Sequence, residues 1–350
     1  MPMRTVLVTV GTSAISNFAR HNNGKSPASA KELAWYLRQT SPREASAETN
    51  SLSHLLREDD RLVFLASSTE EGRLCAGALR ELYGPSRCRI EEVPGLTYEE
   101  ARFRMRGLRS LVSKLVELVE GEKRLEREVV INATGGFKAE IAYASLVGLL
   151  FRVPVYYLHE RFDQIIDLPP VPVSWDYALL AEHRDLLRWL EEGGPRPARE
   201  VEQRLQGRPE ELRLLLSSED GDQVELSPAG LALFRAFEER WAEAERVPVY
   251  LSSRARSAYD SLRGADRSQV DDLLEKLRLP DWRRSNARHP ENVDFLTAPG
   301  GRIGWRLCFY EDGDGSLRVL EVLRHDDYER VLRRGRRRAD YSGFTPWREG

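Results

Sequence analysis

The sequence predicts an α/β protein that begins with a parallel β-sheet covered by helices on both faces. Three observations carry this prediction. Short apolar, β-branched runs recur through the first 175 residues, amphipathic segments separate them, and two of the runs end in glycine-containing polar turns. Strands that alternate with helices in this way form parallel sheets. The sheet is therefore expected to be Rossmann-like, with ligands binding beyond the carboxyl ends of its strands.

Composition restricts the class of protein. A chain of 350 residues predicts two or three domains, and its formal net charge of -3 argues against a histone-like polycation. No apolar run approaches the roughly 18 to 20 residues of a membrane span, and the first residues lack the apolar region of a signal peptide. The three cysteines and six histidines show no metal-ligand spacing. We expect a soluble, cytoplasmic protein with no structural metal, no cofactor and no membrane partner.

The elements of the first domain, residues 1–175, follow from its hydrophobic pattern. The expected strands are the apolar runs Arg4–Val10, Arg61–Ser67, Arg89–Val93, Val129–Ile131 and Val153–Leu158. The expected helices include Glu32–Gln39, Ser51–Arg57 and Ser68–Tyr83, with a Ser/Glu/Thr-rich linker between the first two. A later helix is expected to carry a core stripe of Phe103, Leu108, Leu111, Val112, Leu115 and Val119. The polar segment Ser16–Lys31 is expected to be a mobile loop, and Tyr156–Val173 a hairpin or extended arm.

Two glycine turns are the candidate ligand-binding loops. One is Gly11-Thr12-Ser13, directly after the first strand, and the other lies in NATGGFKAE (Asn132–Glu140), between a strand and a helix. Glycines allow the backbone to approach a ligand, and the first N–H groups of a helix favour an anion. Neither loop is an ATP P-loop or a dinucleotide fingerprint. Either loop alone could be a turn that only packs strand against helix.

The middle of the chain, residues 176–247, is expected to be a helical module similar to a winged helix. Helices are expected at Asp176–Glu192 and Ala198–Gln206, a turn at Asp220-Gly221, a strand at Gln223–Leu226, and a helix from Pro228 to about Arg246. A winged helix often binds DNA, but DNA is not expected as a partner here because the surface would be acidic. The acidic residues are Glu191, Glu192, Glu210, Glu211, Glu219, Asp220 and Glu225. We therefore interpret the module as a connector or dimerisation element.

The third domain, residues 248–350, is expected to be α+β. It begins with a strand at Pro248–Leu251 and two helices, followed by a strand at Val293–Thr297 and a hairpin of Arg302–Tyr310 with Leu317–Leu323. Arginines gather near the end of the chain and alternate with aromatic residues: Arg324, Arg330, Arg333, Arg334, Arg336, Arg337 and Arg338, with Tyr328, Tyr341, Phe344 and Trp347. This composition suits an RNA surface, and the alternative is a solvated basic tail.

Residues 1–175 resemble a CARF domain, the ligand sensor of type III CRISPR ancillary proteins. The resemblance rests on VGTS (Val10–Ser13), on NATGGFKAE, and on the YYLHE…IIDLPPVPV arm. It implies a homodimer that binds one cyclic oligoadenylate, of which cyclic tetra-adenylate is the expected form, across a two-fold axis. The residues expected to contact this activating ligand are Gly11, Thr12, Ser13, Thr134, Gly135, Gly136, Phe137 and Lys138. Some CARF domains also cleave the ring, with a serine and a lysine at positions like Ser13 and Lys138.

Residues 248–343 resemble a RelE toxin, with the match carried by GWRLCFYEDGDGSLRVLEVLRHDDYERVL (Gly304–Leu332). It implies metal-independent cleavage of mRNA on the ribosome by attack of a 2′-OH on the adjacent phosphate. Arg306 and Arg324 would stabilise the phosphate, Tyr328 would orient the reacting groups, and His325 would act as acid or base. Where many RelE toxins carry lysines, Val293–Thr297 offers only Asp294, so Arg284, Arg288 or His289 would have to replace them and the general base stays open.

Together these features predict a CRISPR type III endoribonuclease that cyclic oligoadenylate activates. The expected catalytic residues are Arg288, Arg306, Arg324, His325 and Tyr328, and the expected partners are the ribosome and mRNA. Two alternatives remain. The protein could be a ring nuclease that degrades the cyclic ligand, or a ligand-regulated winged-helix transcription factor.

Overall fold

The structure is a computed structural model that describes residues 3–171, 175–219, 222–244, 246–299 and 304–348. For Met105, Glu219, His325, Asp326 and Glu329 it describes the backbone alone. The chain divides into two compact units. The first comprises Met1–Ser174 and Leu186–Ala236, and the second comprises Trp175–Asp185 and Phe237–Gly350.

The first unit is built on the predicted parallel sheet. Its strands are β1 (Arg4–Val10), β2 (Arg61–Ser67), β3 (Cys88–Val93), β4 (Glu128–Asn132), β5 (Val155–Tyr157) and β6 (Ile166–Leu168). Their order is β3-β2-β1-β4-β5-β6, and all pair in parallel except β6, which is antiparallel to β5. The Rossmann-like α/β prediction is confirmed, as is the hairpin within the described part of Tyr156–Val173. Strand β1 is central and buried along its whole length.

Helices cover this sheet. They are α1 (Ser13–His21), α2 (Ala30–Gln39), α3 (Pro42–Ala45), α4 (Ala47–Leu55), α5 (Glu70–Tyr83), α6 (Glu100–Arg102), α7 (Leu108–Arg124) and α8 (Lys138–Phe151). A π-helical turn, Phe103–Gly107, joins α6 to α7. Five members of the predicted apolar stripe, Leu108, Leu111, Val112, Leu115 and Val119, are buried in α7. The sixth, Phe103, lies in the π-helical turn and is only partly buried.

Two predictions in this unit are wrong. The segment Ser16–Lys31, expected to be a mobile loop, contains most of α1, because Ala14 and Phe18 are buried and the Phe18 ring packs 5.3 Å from that of Tyr36. The linker expected before Ser51 contains α3 and the start of α4. Helix α4 begins at Ala47 because the Ser46 hydroxyl accepts a hydrogen bond from Thr49 N at 3.1 Å. Tertiary burial and capping together override the polar composition of these segments.

The segment 177–244 is mostly helical. Its elements are α9 (Tyr177–Glu182), α10 (Arg184–Gly193), β7 (Arg196–Pro197), α11 (Ala198–Leu205), a 3₁₀ turn (Glu210–Leu215), β8 (Leu216–Glu219), β9 (Gln223–Leu226) and α12 (Pro228–Ala244). The strands form a small antiparallel sheet in the order β7-β9-β8. The predicted strand Gln223–Leu226 and the helix beginning at Pro228 are confirmed. The predicted turn at Asp220-Gly221 lies outside the described residues.

The second unit holds a five-stranded mixed sheet. In chain order it contains β10 (Val249–Leu251), α13 (Ser253–Ser261), α14 (Gly264–Leu277), α15 (Pro280–Asn286), β11 (Leu296–Ala298), β12 (Trp305–Glu311), β13 (Leu317–Arg324), α16 (His325–Arg333), a 3₁₀ turn (Arg338–Asp340) and β14 (Thr345–Pro346). The strand order is β11-β12-β13-β10-β14. The predicted hairpin of β12 with β13 is confirmed, and the sheet is mixed because the first strand, β10, runs parallel to β13. The strand expected from Val293 begins only at Leu296.

Candidate functional site

The two glycine loops meet at one edge of the parallel sheet. Strands β1 and β4 are neighbours, with Val8 opposite Asn132, so the loops that follow them leave the sheet side by side. A β-carbon added at Gly11 would lie 2.6 Å from the Gly136 nitrogen, a separation that side chains do not tolerate. This point of the strand order is where parallel sheets open a crevice for ligands. The two candidate ligand-binding loops therefore lie side by side.

A buried carboxylate from α4 lies beneath both loops. Glu48 is 1% exposed, and its Oε1 accepts a hydrogen bond of 2.7 Å from Gly11 N. A β-carbon at Gly135 would overlap the same carboxylate. From β1, Thr9 Oγ1 donates to the Gly135 carbonyl at 2.6 Å. Glu48 therefore accepts the hydrogen bond of the Gly11 amide, packs against Gly135, and so holds the two loops at a fixed spacing. Sequence reasoning missed it because it was expected to lie in a linker.

A second buried carboxyl group holds the start of α8. Glu140 is 2% exposed, and its Oε1 accepts a hydrogen bond from Phe137 N at 2.9 Å. Burial raises the pKa of Glu140 to about 7, and the charge of nearby Glu48 acts in the same direction, while the Phe137 hydrogen bond opposes both. Gly136 adopts φ +94°, and a β-carbon there would lie 2.6 Å from Glu140 Oε2. Glycine is needed at this position for both reasons.

Three polar groups of the second loop form no hydrogen bond or ion pair among the described residues, and two of them belong to the exposed residues Gly136 and Lys138. Within the described residues, the amide N–H groups of Gly135 and Gly136 form no hydrogen bond. Lys138 is exposed at the first position of α8 and forms no ion pair in the described part of the chain. The helix dipole and the lysine both favour negative charge at this point.

The other predicted loop residues have local partners. The Thr12 hydroxyl lies 3.2 Å from that of Tyr98, and Ser13 Oγ accepts a hydrogen bond of 3.1 Å from Ala47 N. Thr134 Oγ1 donates to Asn132 Oδ1 at 2.7 Å and accepts from Leu158 N at 3.1 Å. The Thr134 hydroxyl therefore stabilises the loop, whereas the Thr12 hydroxyl lies beside the exposed side chain of Tyr98.

An aromatic cluster borders the loops. The ring of Phe137 lies 4.7 Å from that of Phe103 and 5.4 Å from that of Tyr98. Tyr98 is 64% exposed, so its ring is accessible to a ligand. Such rings offer flat apolar faces to which a nucleobase can stack. No pattern in the sequence indicated that Tyr98 and Phe103 would lie beside the second loop.

In the second unit, the structure brings two of the predicted catalytic residues together. Arg306, on β12, is 2% exposed, and burial lowers the pKa of its guanidinium group while the electrostatic influence of Tyr328 opposes that shift. Tyr328, on α16, packs at the edge of the apolar cluster that contains Cys308 and Tyr341. A buried guanidinium beside a phenol provides positive charge and a hydroxyl in one place.

The remaining predicted catalytic residues lie elsewhere. Arg324 is opposite Trp305 in the hairpin register, whereas Arg306 is opposite Leu323, so the two arginines project from opposite faces of the sheet. Arg324 forms an ion pair of 2.6 Å with Asp266. Arg288 is exposed, and its backbone pairs with that of Thr297. His325 is the first residue of α16, and its side chain lies outside the described part of the structure.

Glu321 is a residue of this sheet that sequence reasoning missed. It is opposite Cys308 in the register, hence on the same face as Arg306. It is 7% exposed, and burial raises its pKa, although Arg336 at 3.4 Å and Arg254 at 3.9 Å act against the shift. A buried carboxyl group with a raised pKa is suited to proton transfer.

The described residues contain no group of three or more His, Cys, Asp and Glu side chains arranged to hold a metal ion. Among the described helices, none is both long and apolar enough to cross a bilayer.

The fold and site define an α/β protein with two glycine loops at the switch point of a parallel sheet. Residues 43–171 of the chain match the model of a family described as CRISPR-associated protein (Cas_APE2256). The match spans β2 to β6 and includes the second glycine loop, and it begins after the first.

Two solved structures are similar to the chain. Protein VC1899 from Vibrio cholerae is 12% identical with a TM-score of 0.26, and the alignment covers 69% of this chain and 68% of that one. Can2 from Sulfobacillus thermosulfidooxidans, solved in complex with cyclic tetra-adenylate, is 11% identical with a TM-score of 0.26. That alignment covers 69% of this chain and 65% of Can2.

Proposed function

We propose that this protein is an ancillary effector of a type III CRISPR system and that its glycine loops bind a cyclic oligoadenylate. The observation that carries the proposal is the meeting of the loops 11–13 and 134–138 at the switch point of the sheet, with the Gly135 and Gly136 amides and Lys138 unpaired among the described residues. These groups suit the phosphates of a nucleotide. The match of residues 43–171 to a CRISPR-associated family supports a role in that system.

The proposed ligand is cyclic tetra-adenylate, bound by a homodimer. A ring with repeated nucleotides presents the same phosphate and base to each of two identical sites, and a two-fold axis brings two copies of one loop pair together. One ring would therefore bind per two chains. Thr12, Ser13, Gly135, Gly136 and Lys138 would contact phosphates and riboses, and the exposed ring of Tyr98 would contact a base.

We further propose that residues 248–350 act as a RelE-like ribonuclease on ribosome-bound mRNA. Arg306 would stabilise the pentacoordinate phosphate formed when a 2′-OH attacks, with Tyr328 orienting the nucleophile and His325 protonating the leaving oxygen. Glu321, on the face of Arg306, is the candidate general base that the sequence left open. The proposed order of domains is a sensor at 1–175, a connector at 176–247 and the nuclease at 248–350, with ligand binding favouring the active arrangement.

The test is to map mRNA cleavage on purified ribosomes with and without cyclic tetra-adenylate. The wild-type chain should produce ligand-dependent cuts, and Arg306→Ala and His325→Ala should each reduce them by about 100-fold or more, the scale of an electrostatic or acid–base contribution. Arg246→Ala removes an exposed arginine of the same unit and should leave cleavage unchanged. Cuts that do not depend on the ligand, or that persist in both catalytic variants, would contradict the proposal.

A second function is a ring nuclease. Ser13 and Lys138 lie on the two adjoining loops, and Lys138 is exposed, so both could reach the same phosphate of the ring. Turnover of labelled cyclic tetra-adenylate should then be lost in Ser13→Ala and Lys138→Ala. If both variants degrade the ring at the wild-type rate, this second function is wrong.

A further inference from the structure

A cavity of about 450 Å³ lies in the first unit, beyond the carboxyl ends of β2 and β3. Its size is within the range of pockets that take small molecules. The glycine loops do not line it. Polar residues from the π-helical turn, α7, β3 and β9 dominate its wall, among them Arg102, Arg106, Arg109, Ser110, Glu92 and Glu225.

The arginines of the cavity wall carry more positive charge than its two glutamates neutralise. Glu225 forms an ion pair with Arg109, and Glu92 forms one of 3.2 Å with Arg73, which does not line the cavity. Arg102 has only a half-exposed contact with Glu99 at 3.7 Å, which is worth little in water.

Arg106 has no partner among the residues that the structure describes. Its guanidinium forms no hydrogen bond, ion pair or ring contact within the described part of the chain. Both carboxylates of the wall are thus already occupied, and at least one guanidinium is available to an anion.

Two glycines fix the position of Arg106. A β-carbon added at Gly107 would lie 2.6 Å from the Gly95 carbonyl oxygen, and one at Gly95 would lie 2.8 Å from Arg106 Cβ. Gly95 also adopts φ +82°. This close backbone contact holds the π-helical turn, the kind of local irregularity that is frequent at functional sites, against the end of β3. Arg106 is therefore placed by the backbone and does not depend on a side-chain partner.

We propose that this cavity binds a small phosphate monoester of nucleotide size. A guanidinium pairs with phosphate oxygens through two parallel N–H donors, which suits Arg106 with Arg102 beside it. The Ser110 hydroxyl also lines the cavity and can form a hydrogen bond with a sugar hydroxyl. The proposal goes beyond the proposed function and does not rest on it, because none of its residues belongs to the glycine loops.

The cavity lies close enough to the second glycine loop for a ligand bound in it to affect that loop. Phe103 begins the same π-helical turn and packs on Phe137 of the second glycine loop. A molecule that orders Arg106 and its turn would also restrict Phe103. Occupancy of the cavity is therefore expected to change the affinity of the glycine loops for their own ligand, and the coupling must be reciprocal.

The experiment is calorimetric titration of the full chain with AMP, and with adenosine as the probe without a phosphate. AMP should bind the wild type, adenosine should bind at least about tenfold more weakly, and Arg106→Ala should lose about tenfold or more in AMP affinity, as for one charge-assisted pair. Arg104→Ala is the matched control, because Arg104 is exposed on the same turn but does not line the cavity. The thermal midpoint of Arg106→Ala should equal that of the wild type, since Arg106 has no partner to lose.

Lys138→Ala separates this cavity from the glycine loops. AMP affinity retained in Lys138→Ala and lost in Arg106→Ala supports the proposal. It is overturned if AMP at millimolar concentration does not bind the wild type, or if Arg106→Ala and Arg104→Ala bind it equally. It is also overturned if Lys138→Ala alone abolishes binding, because AMP would then occupy the glycine loops.

Discussion

Glu140 links the stability of the first unit to pH. Its carboxyl group is buried, and its pKa is raised to about 7, above the value near 4.5 of an exposed glutamate. Between these values the unfolded chain has released the proton and the folded chain retains it. The favourable contribution is complete below about pH 4.5 and is lost as the pH rises through 7.

Glu140→Gln should remove this dependence. The amide oxygen of glutamine can still accept the Phe137 hydrogen bond, and no charge is buried at high pH. Relative to the variant, the wild type should lose about 1.4 kcal/mol of unfolding free energy for each pH unit between about 5 and 7. Urea unfolding of both proteins from pH 5 to 8 measures the difference. Parallel stability curves for the two proteins would refute the assignment.

A buried ion pair anchors the start of β1. Arg4 and Asp60 are 3% and 2% exposed, with Arg4 Nε donating to Asp60 Oδ1 at 2.9 Å. Asp60→Asn should cost about 3 to 5 kcal/mol because it leaves the guanidinium buried without its counter-charge. Glu128→Gln breaks the half-exposed pair of Glu128 with Arg57 and should cost about 1 kcal/mol or less. Chemical denaturation compares the two, and equal losses would show that the burial of Arg4 does not matter.

At the scale of elements, the close approach of the glycine loops is a requirement of the site. Gly11→Ala places a β-carbon 2.6 Å from the Gly136 nitrogen, so one loop must move. We expect weaker binding of cyclic tetra-adenylate by about tenfold or more, together with a loss of stability of about 1 to 3 kcal/mol, as for overpacking. Gly121→Ala is the control within α7, because a β-carbon there meets nothing within 4 Å.

That control should leave binding unchanged and stabilise the chain by up to about 1 kcal/mol, since alanine favours a helix interior. Binding calorimetry and thermal unfolding of both variants make the comparison. Wild-type affinity in Gly11→Ala would mean that the spacing of the loops is not important for the ligand.

The sequence predicted the elements of the sheet better than the residues beneath the loops. Strand β1 and the strand before Asn132–Glu140 are recognisable in the sequence because each is a β-branched run followed by a glycine-containing turn. The order of the parallel strands then brings the two turns together. The role of Glu48 cannot be recognised in the sequence, because it depends on α4 packing beneath both loops. Helix α1 was missed for a similar reason, since Phe18 is its main apolar anchor and only tertiary packing shows that it is buried.

In the hairpin of β12 and β13, the strand register determines which face of the sheet each side chain is on, and the sequence alone does not. Arg306 and Arg324 were expected to act on the same phosphate. They lie on opposite faces because Arg324 pairs with Trp305, one position away from Arg306. The spacing of two residues on different strands does not show whether they share a face of the sheet until the pairing of the strands is known. The same register places Glu321 on the face of Arg306.

At the scale of the whole molecule, the proposed function requires a sensor and a nuclease in one chain. The glycine loops belong to one compact unit and Arg306 with Tyr328 to the other. Control of the second by the first requires that cyclic oligoadenylate bind the active arrangement more tightly than the resting one. The requirement is reciprocal, so a substrate analogue bound at the nuclease should tighten the binding of the ring.

Calorimetric titration with cyclic tetra-adenylate measures whether the loops 11–13 and 134–138 bind cyclic oligoadenylate, as the proposed function requires. We expect one ring per two chains, and a loss of affinity of about tenfold or more in Lys138→Ala, the scale of a charge-assisted phosphate contact. Lys25→Ala, which removes an exposed lysine outside the two loops, should bind as the wild type does. An absence of binding to the wild type, a ratio of one ring per chain, or equal affinities in the two lysine variants would contradict the proposal.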